Sequence, residues 1–218
     1  MTTKAIAYIA EIDHLDEGAV LVRDGVPWDE YELLLTELDG RSGIRVSYDR
    51  GRLEIVTVTH RHEMYTRLID RIVYLCAERY DVDVENAGST TFNDKGLQQG
   101  AEPDSCFYIT NASKIIGKRH VDLTVDPPPD ILVEIDISHG SKRKHQFYAQ
   151  ISVPELWVYD ERRLHFYERT DSVYLKIPSS KTFPVLSSEK VSDFLKIGST
   201  EGQSAALRAF RSWLALSL

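Results

Sequence analysis

Pro129-Asp130-Ile131-Leu132-Val133-Glu134-Ile135-Asp136-Ile137 is the stretch on which the fold turns. It follows Pro127-Pro128, and consecutive prolines enforce an extended entry, because each fixes its own φ and pushes the residue before it out of the helical region. From Ile131 to Ile137 the run is apolar almost throughout, the composition of a central strand covered on both faces. Two acids interrupt it. Glu134 and Asp136 are two residues apart, which in a regular strand sets both on one face. Burying like charges side by side is costly unless a cation or hydrogen-bond donors compensate. A positive group is therefore expected beside them. The local candidates are Lys142, Arg143 and Lys144, and a divalent ion such as Mg²⁺, which takes one or two carboxylates and keeps several waters.

Downstream, Ser141 is placed to cap a short helix carrying Lys144, Phe147 and Tyr148, and a strand resumes at Leu156-Trp157-Val158-Tyr159. Strand, helix and strand in that order form a βαβ crossover, which with the hairpins upstream implies an α/β (α+β) fold, a mixed β-sheet flanked by helices. Upstream, Glu102-Pro103-Asp104 precedes a short strand from Ser105 to Ile109; if that strand lies beside Ile131 to Ile137, Asp104 and Glu134 converge on one ion. From Glu63 to Tyr80, Met64, Leu68, Ile72, Leu75 and Cys76 recur at three- and four-residue spacing, the longest amphipathic helix, with Glu63 in its first turn just after His62. Ile44 to Asp49 and Arg52 to Val56 alternate around Asp49-Arg50-Gly51 as a β-hairpin. Val82 to Phe92 and Leu164 to Tyr167 are further β-prone segments. Pro27 opens a helix running through Leu35, with acids near its positive end. Ser179 to Lys181 and Ser187-Ser188 read as a loop or peripheral hairpin. Gln203 to Leu218 reads as a helix docked through Leu207, Phe210 and Leu214, either covering the sheet or meeting a partner subunit. This gives an N-terminal extension over 1–26, a core domain over 27–170 and a C-terminal decoration over 171–218.

The chain has 218 residues, 42% hydrophobic and 28% charged, an ordinary globular composition that excludes collagenous, coiled-coil and disulfide-scaffold classes. Its 26 Lys+Arg against 34 Asp+Glu leave a formal charge of −8, which argues against a dedicated DNA-coating protein. That charge is concentrated. Glu11 to Asp39 holds ten acids and one base, so the other 189 residues sum to +1. The stretch reads as a solvated acidic face lying away from the acids and lysines above. Basic clusters at Lys118-Arg119-His120 and from His139 to Gln146 suit phosphate contacts, although short basic runs are most often solvated surface. Cys76 and Cys106 lack metal-ligand spacing and read as buried, reduced thiols. No apolar run approaches the roughly 18–20 residues of a membrane span, and the N-terminus lacks the apolar stretch of a signal peptide, so the expectation is a cytoplasmic protein with no membrane partner.

Taken in order, Tyr48-Asp49-Arg50-Gly51-Arg52-Leu53-Glu54, His62-Glu63, Gly88-Ser89-Thr90-Thr91-Phe92, Glu102-Pro103-Asp104, Pro129 to Glu134, and Lys144 with Tyr148 followed by Val153-Pro154-Glu155-Leu156-Trp157-Val158 form a recognisable series. A Pro-Asp dyad opening a strand, an acid in the next core strand and a nearby lysine resemble the PD-(D/E)XK nuclease superfamily. More narrowly, the chain is similar to the Uma2 family, also called DUF820, from about Pro27 to about Tyr167. The resemblance implies a restriction-endonuclease-like fold and a Mg²⁺-dependent (or Mn²⁺-dependent) endonuclease acting on DNA. Asp104 and Glu134 would bind the metal, Glu63 would be a supporting acid, and Lys144 would orient the attacking water. One departure is plain: the superfamily places its lysine two residues after the strand acid, where this chain has Asp136. The lysine then falls on the following helix, with Lys144 and Tyr148 one turn apart on one face and Lys142 as the other candidate. Asp136 is open between a third metal ligand, a partner of Lys144 and a relic of the superfamily position. The reading from a different class is a catalytically inactive nuclease-fold protein that works as a binding or regulatory module. A homodimer is expected by analogy with enzymes that cut both strands.

Overall fold

The protein is described here from a computed structural model covering residues 3–136 and 142–217. The Ser141 cap and the start of the basic run at His139 lie outside the described residues, as does the side chain of Lys142. In chain order the first elements are α1 (Thr3–Ile12), β1 (Val20–Arg23), α2 (Trp28–Leu38), β2 (Ile44–Asp49), β3 (Arg52–Thr57), α3 (His60–Tyr80), β4 (Glu85–Asn86), β5 (Phe92–Asp94), β6 (Gln99–Ala101) and β7 (Ser105–Tyr108). They are followed by α4 (Ala112–Ile115), β8 (Ile131–Ile135), α5 (Lys142–Gln150), β9 (Glu155–Tyr159), β10 (Leu164–Thr170), β11 (Val173–Ile177), α6 (Ser188–Thr200) and α7 (Gln203–Leu216). None of these helices is long and apolar enough to cross a membrane. They pack as two units, one from Met1–His60 with Thr91–Glu102, the other from Arg61–Thr90 with Pro103–Leu218.

The first unit is an antiparallel sheet in the order β1-β3-β2-β6-β5. Its central hairpin pairs Asp49 with Arg52, and both turn residues, Arg50 and Gly51, have positive φ (48° and 93°). Those angles match the strand twist, and glycine takes the second of them without strain. Pro27 is the N-cap of α2, with Asp29 and Glu30 in the first turn. Tyr31 stacks on Tyr48 at 4.7 Å between ring centroids, Trp28 meets both edge-on, and Leu34, Val46, Leu53 and Ile55 complete this core. The acidic stretch is not uniformly solvated: Glu30 is buried, and the stretch contains a strand, β1.

The second unit holds a six-stranded sheet, order β11-β10-β9-β8-β7-β4. As the crossover requires, β8 and β9 run parallel on either side of α5, whereas β7 meets β8 antiparallel. All five residues of β8 are buried, as a doubly covered strand should be. Val133, Ile135, Trp157 and Phe166 pack with Leu68, Ile69 and Ile72 of α3 and with Phe194, Leu195 and Phe210 of α6 and α7. The alternate residues of β8 face α5. Because α7 buries Ala206, Phe210 and Leu214 inside its own unit, its apolar face covers this core. Both cysteines are buried free thiols, and burial pushes each up to about 12.

Three expectations need correction. Val82 to Phe92 is mostly irregular: only Glu85–Asn86 pairs with β7, because Asp81 and Gly88 take positive φ and Asn86 Oδ1 accepts the Gly88 N–H at 2.6 Å, turning the chain. The serine-rich segment at 179–188 is a loop closed by a Ser179–Ser187 bridge, and its end is a helix start, since the Ser187 side chain accepts the Lys190 N–H and caps α6. Finally, β8 ends at Ile135. Asp136 lies one residue past the strand and is only half-buried, its N–H donating to Tyr159 O at 2.8 Å. The buried acid in the strand is Glu134, and its acidic neighbour comes from β7 rather than from its own strand.

Candidate active site

Register builds the site. Ser105 of β7 stands opposite Val133 of β8, and the Asp104 N–H donates to Val133 O at 3.0 Å, so Asp104 at the head of β7 lies across from Glu134. Both are buried. Asp104 Oδ2 accepts the Ile135 N–H at 2.7 Å, and His62 Nε2 of α3 approaches the same oxygen at 3.3 Å. This clamp fixes the carboxylate from a strand and a helix at once.

Glu134 is held from α5. Tyr148 OH donates to Oε1 at 2.6 Å and Lys144 Nζ donates to Oε2 at 3.2 Å. One helical turn separates Lys144 from Tyr148, which is why a single helix face serves both oxygens. Burial raises the Glu134 carboxyl above the ordinary carboxylate range; the Lys144 ammonium opposes that rise, the Asp104 charge reinforces it, and Tyr148 and His145 oppose it more weakly. Tyr148, buried against this carboxylate, is pushed well above its usual value and stays a proton donor. His145 is pushed down by its own burial, against the opposing pull of the Glu134 and Asp136 charges.

Asp104, Glu134, Lys144, Tyr148 and His62 are thus brought together. Glu63, next to His62 in the first turn of α3, has its carboxylate 3.4 Å from Arg67 on the same helix, and Arg67 in turn lies 3.6 Å from Asp70. A polar group that sequence reading does not single out adjoins β7: Ser105 Oγ donates to Asp70 Oδ1 at 2.7 Å, and burial raises Asp70. Asp70 does interrupt the apolar stripe of α3, the one local sign of it. His145 carries no such sign, since its place depends on how α5 docks.

Two buried carboxylates from adjacent strands, each disfavouring the other's charge, suit a hard divalent cation that completes its sphere with water. Among the described residues, no group of three or more His, Cys, Asp and Glu is placed to hold a metal. An ion here would rest on Asp104 and Glu134, and these two fit that demand.

A mixed sheet with an acid heading one strand, an acid inside its neighbour and a lysine on the crossover helix defines a restriction-endonuclease-like protein. The sequence model of the Uma2 family, described as "putative restriction endonuclease", matches residues 28–195, and the chain belongs to that family. A solved structure from Anabaena variabilis, described as a "putative nuclease belonging to DUF820", is similar with a TM-score of 0.52 at 14% identity, over 78% of this chain and 99% of that one. At that identity the likeness shows the fold. No curated protein matches the chain.

Proposed function

We propose that the protein is a Mg²⁺-dependent endonuclease that hydrolyses phosphodiester bonds in DNA. The observation that carries this reading is the convergence of Asp104 and Glu134 across the β7–β8 pair with Lys144 at hydrogen-bond distance from Glu134. Asp104 and Glu134 would hold the ion, Mg²⁺ or Mn²⁺. Such an ion supplies Lewis acidity toward a phosphoryl oxygen and lowers the pKa of bound water.

The chain's own groups do the rest. Lys144 orients the attacking water and offsets negative charge that grows on the phosphoryl group. Tyr148 holds the Glu134 carboxylate in one rotamer, and His62 with the Ile135 N–H does the same for Asp104. Glu63 supports the site from α3. Cutting both strands with one site per chain calls for a homodimer.

A specific observation favours a second reading. Lys144 and His62 already set a cation or donor against each acid within the chain itself, as in a catalytically inactive binding or regulatory module. Calorimetric titration with Mg²⁺ and Mn²⁺ decides. The nuclease reading expects saturable binding to the wild type that is lost in Glu134→Ala and Asp104→Ala; equal heats for wild type and variants would move the function to the binding module.

A further inference from the structure

Helix α5 presents a second stripe beside the one that carries Lys144 and Tyr148. His145, Gln146 and Gln150 from that stripe, together with Tyr167 of β10 and Val173 and Tyr174 of β11, line an open cleft of about 370 Å³. The sheet register places it relative to the acids. Leu132 pairs with Leu156, and Leu156 with Tyr167, so Tyr167 is on the Glu134 face of the sheet, two strands from β8. Two strand spacings are about 10 Å, a span that one or two nucleotide units bridge. At the near end, His145 directly follows Lys144 on α5, and its ring lies 6.1 Å from that of Tyr167, tilted by 49°.

The lining has a definite chemistry. Tyr167, His145 and Tyr174 offer ring faces, and the Tyr174 hydroxyl is held by donation to Val153 O at 3.0 Å, which fixes its ring. Gln146 and Gln150 are exposed amides, each offering a donor and an acceptor of the kind that reads the edge of a base. Among the described residues no charged side chain lines the cleft, which is not the lining of a phosphate site; rings with amides suit a flat heteroaromatic group with polar edges.

We propose that this cleft takes one unstacked base of a single-stranded nucleic acid, next to the phosphate handled at Asp104, Glu134 and Lys144. The inference rests on the nuclease reading above and narrows its substrate to strands that are unpaired at the cut, including the segments that negative supercoiling opens in a plasmid. A base inside a duplex keeps its faces stacked and does not enter.

The test is fluorescence anisotropy in EDTA, so that binding is read without cleavage. The full chain is titrated against a labelled oligothymidylate, the same strand with a run of abasic residues, and a duplex of equal length. The oligothymidylate is expected to bind roughly tenfold more tightly than either competitor. Tyr167→Ala should fall to the abasic level, whereas Tyr167→Phe, which keeps the ring, should stay within about twofold of wild type. Equal affinity for the thymidylate and abasic strands, unchanged binding by Tyr167→Ala, or no binding of any strand overturns the proposal. The wild-type comparison of strands does not depend on a variant folding. Base-dependent binding without Mg²⁺-dependent cleavage would sink the nuclease reading and keep the cleft; cleavage with base-indifferent binding would do the reverse.

Discussion

Glu134 is buried in mid-strand, and its carboxyl sits above the ordinary range chiefly because burial disfavours its charged form, despite Lys144 at 3.2 Å. For an acid raised on folding, the native state binds the proton more tightly than the unfolded chain. Stability from this group is therefore present at low pH and falls as pH rises past the unfolded value of about 4.3. Glu134→Gln keeps the shape and removes the charge, so thermal melts should show a higher midpoint than wild type at pH 7, with the gain shrinking as pH drops below the raised native value and gone below about 4. A lower midpoint at pH 7 would mean that the Lys144 pair outweighs burial. Asp104 and Glu134 are legible in the sequence because their signals are local, a Pro-Asp pair before a strand and an acid inside an apolar run. His145 and the Ser105–Asp70 bond are not legible, since they exist only once α5 and α3 have docked on the sheet.

Among the elements, those with strong periodicity were readable and those with mixed surfaces were not. The α3 stripe, the β2–β3 hairpin and the β8–α5–β9 crossover follow from spacing alone. By contrast α6 is rich in serine and lysine, and its helix is settled by the Ser187 cap and by packing on α3. Gly198 marks that packing: a Cβ there would stand 2.4 Å from Leu68 Cδ2, a fully buried side chain. Alanine in a helix gains about 1 kcal/mol over glycine, yet forcing a methyl group into a filled core costs about 1–3 kcal/mol. Gly198→Ala should therefore lose about 1 kcal/mol, seen as a lower midpoint in urea with an unchanged m-value. A higher midpoint would show that Leu68 has room to move. The short strand β6 escapes sequence reading for another reason: three residues carry no period, and only its partners define it.

At the scale of the whole molecule, the charge divides with the packing. The first unit has seven Lys+Arg against fourteen Asp+Glu, a net of −7, and the second nineteen against twenty, a net of −1. All the site residues belong to the nearly neutral second unit. In that unit the bases are balanced by acids, so oligonucleotide affinity should fall by less than roughly tenfold between 50 and 200 mM salt, against about 10³–10⁵ for a protein making six to ten phosphate contacts; a steeper fall would reveal a concentrated basic surface. The central claim, metal-dependent hydrolysis at Asp104 and Glu134, is tested most directly by nicking of supercoiled plasmid. Wild type should nick it with Mg²⁺ or Mn²⁺ and stop in EDTA, while Asp104→Asn and Lys144→Ala, folded by circular dichroism, should each be slower by at least about 100-fold. Nicking that persists in EDTA, or that survives either substitution at the wild-type rate, would contradict it.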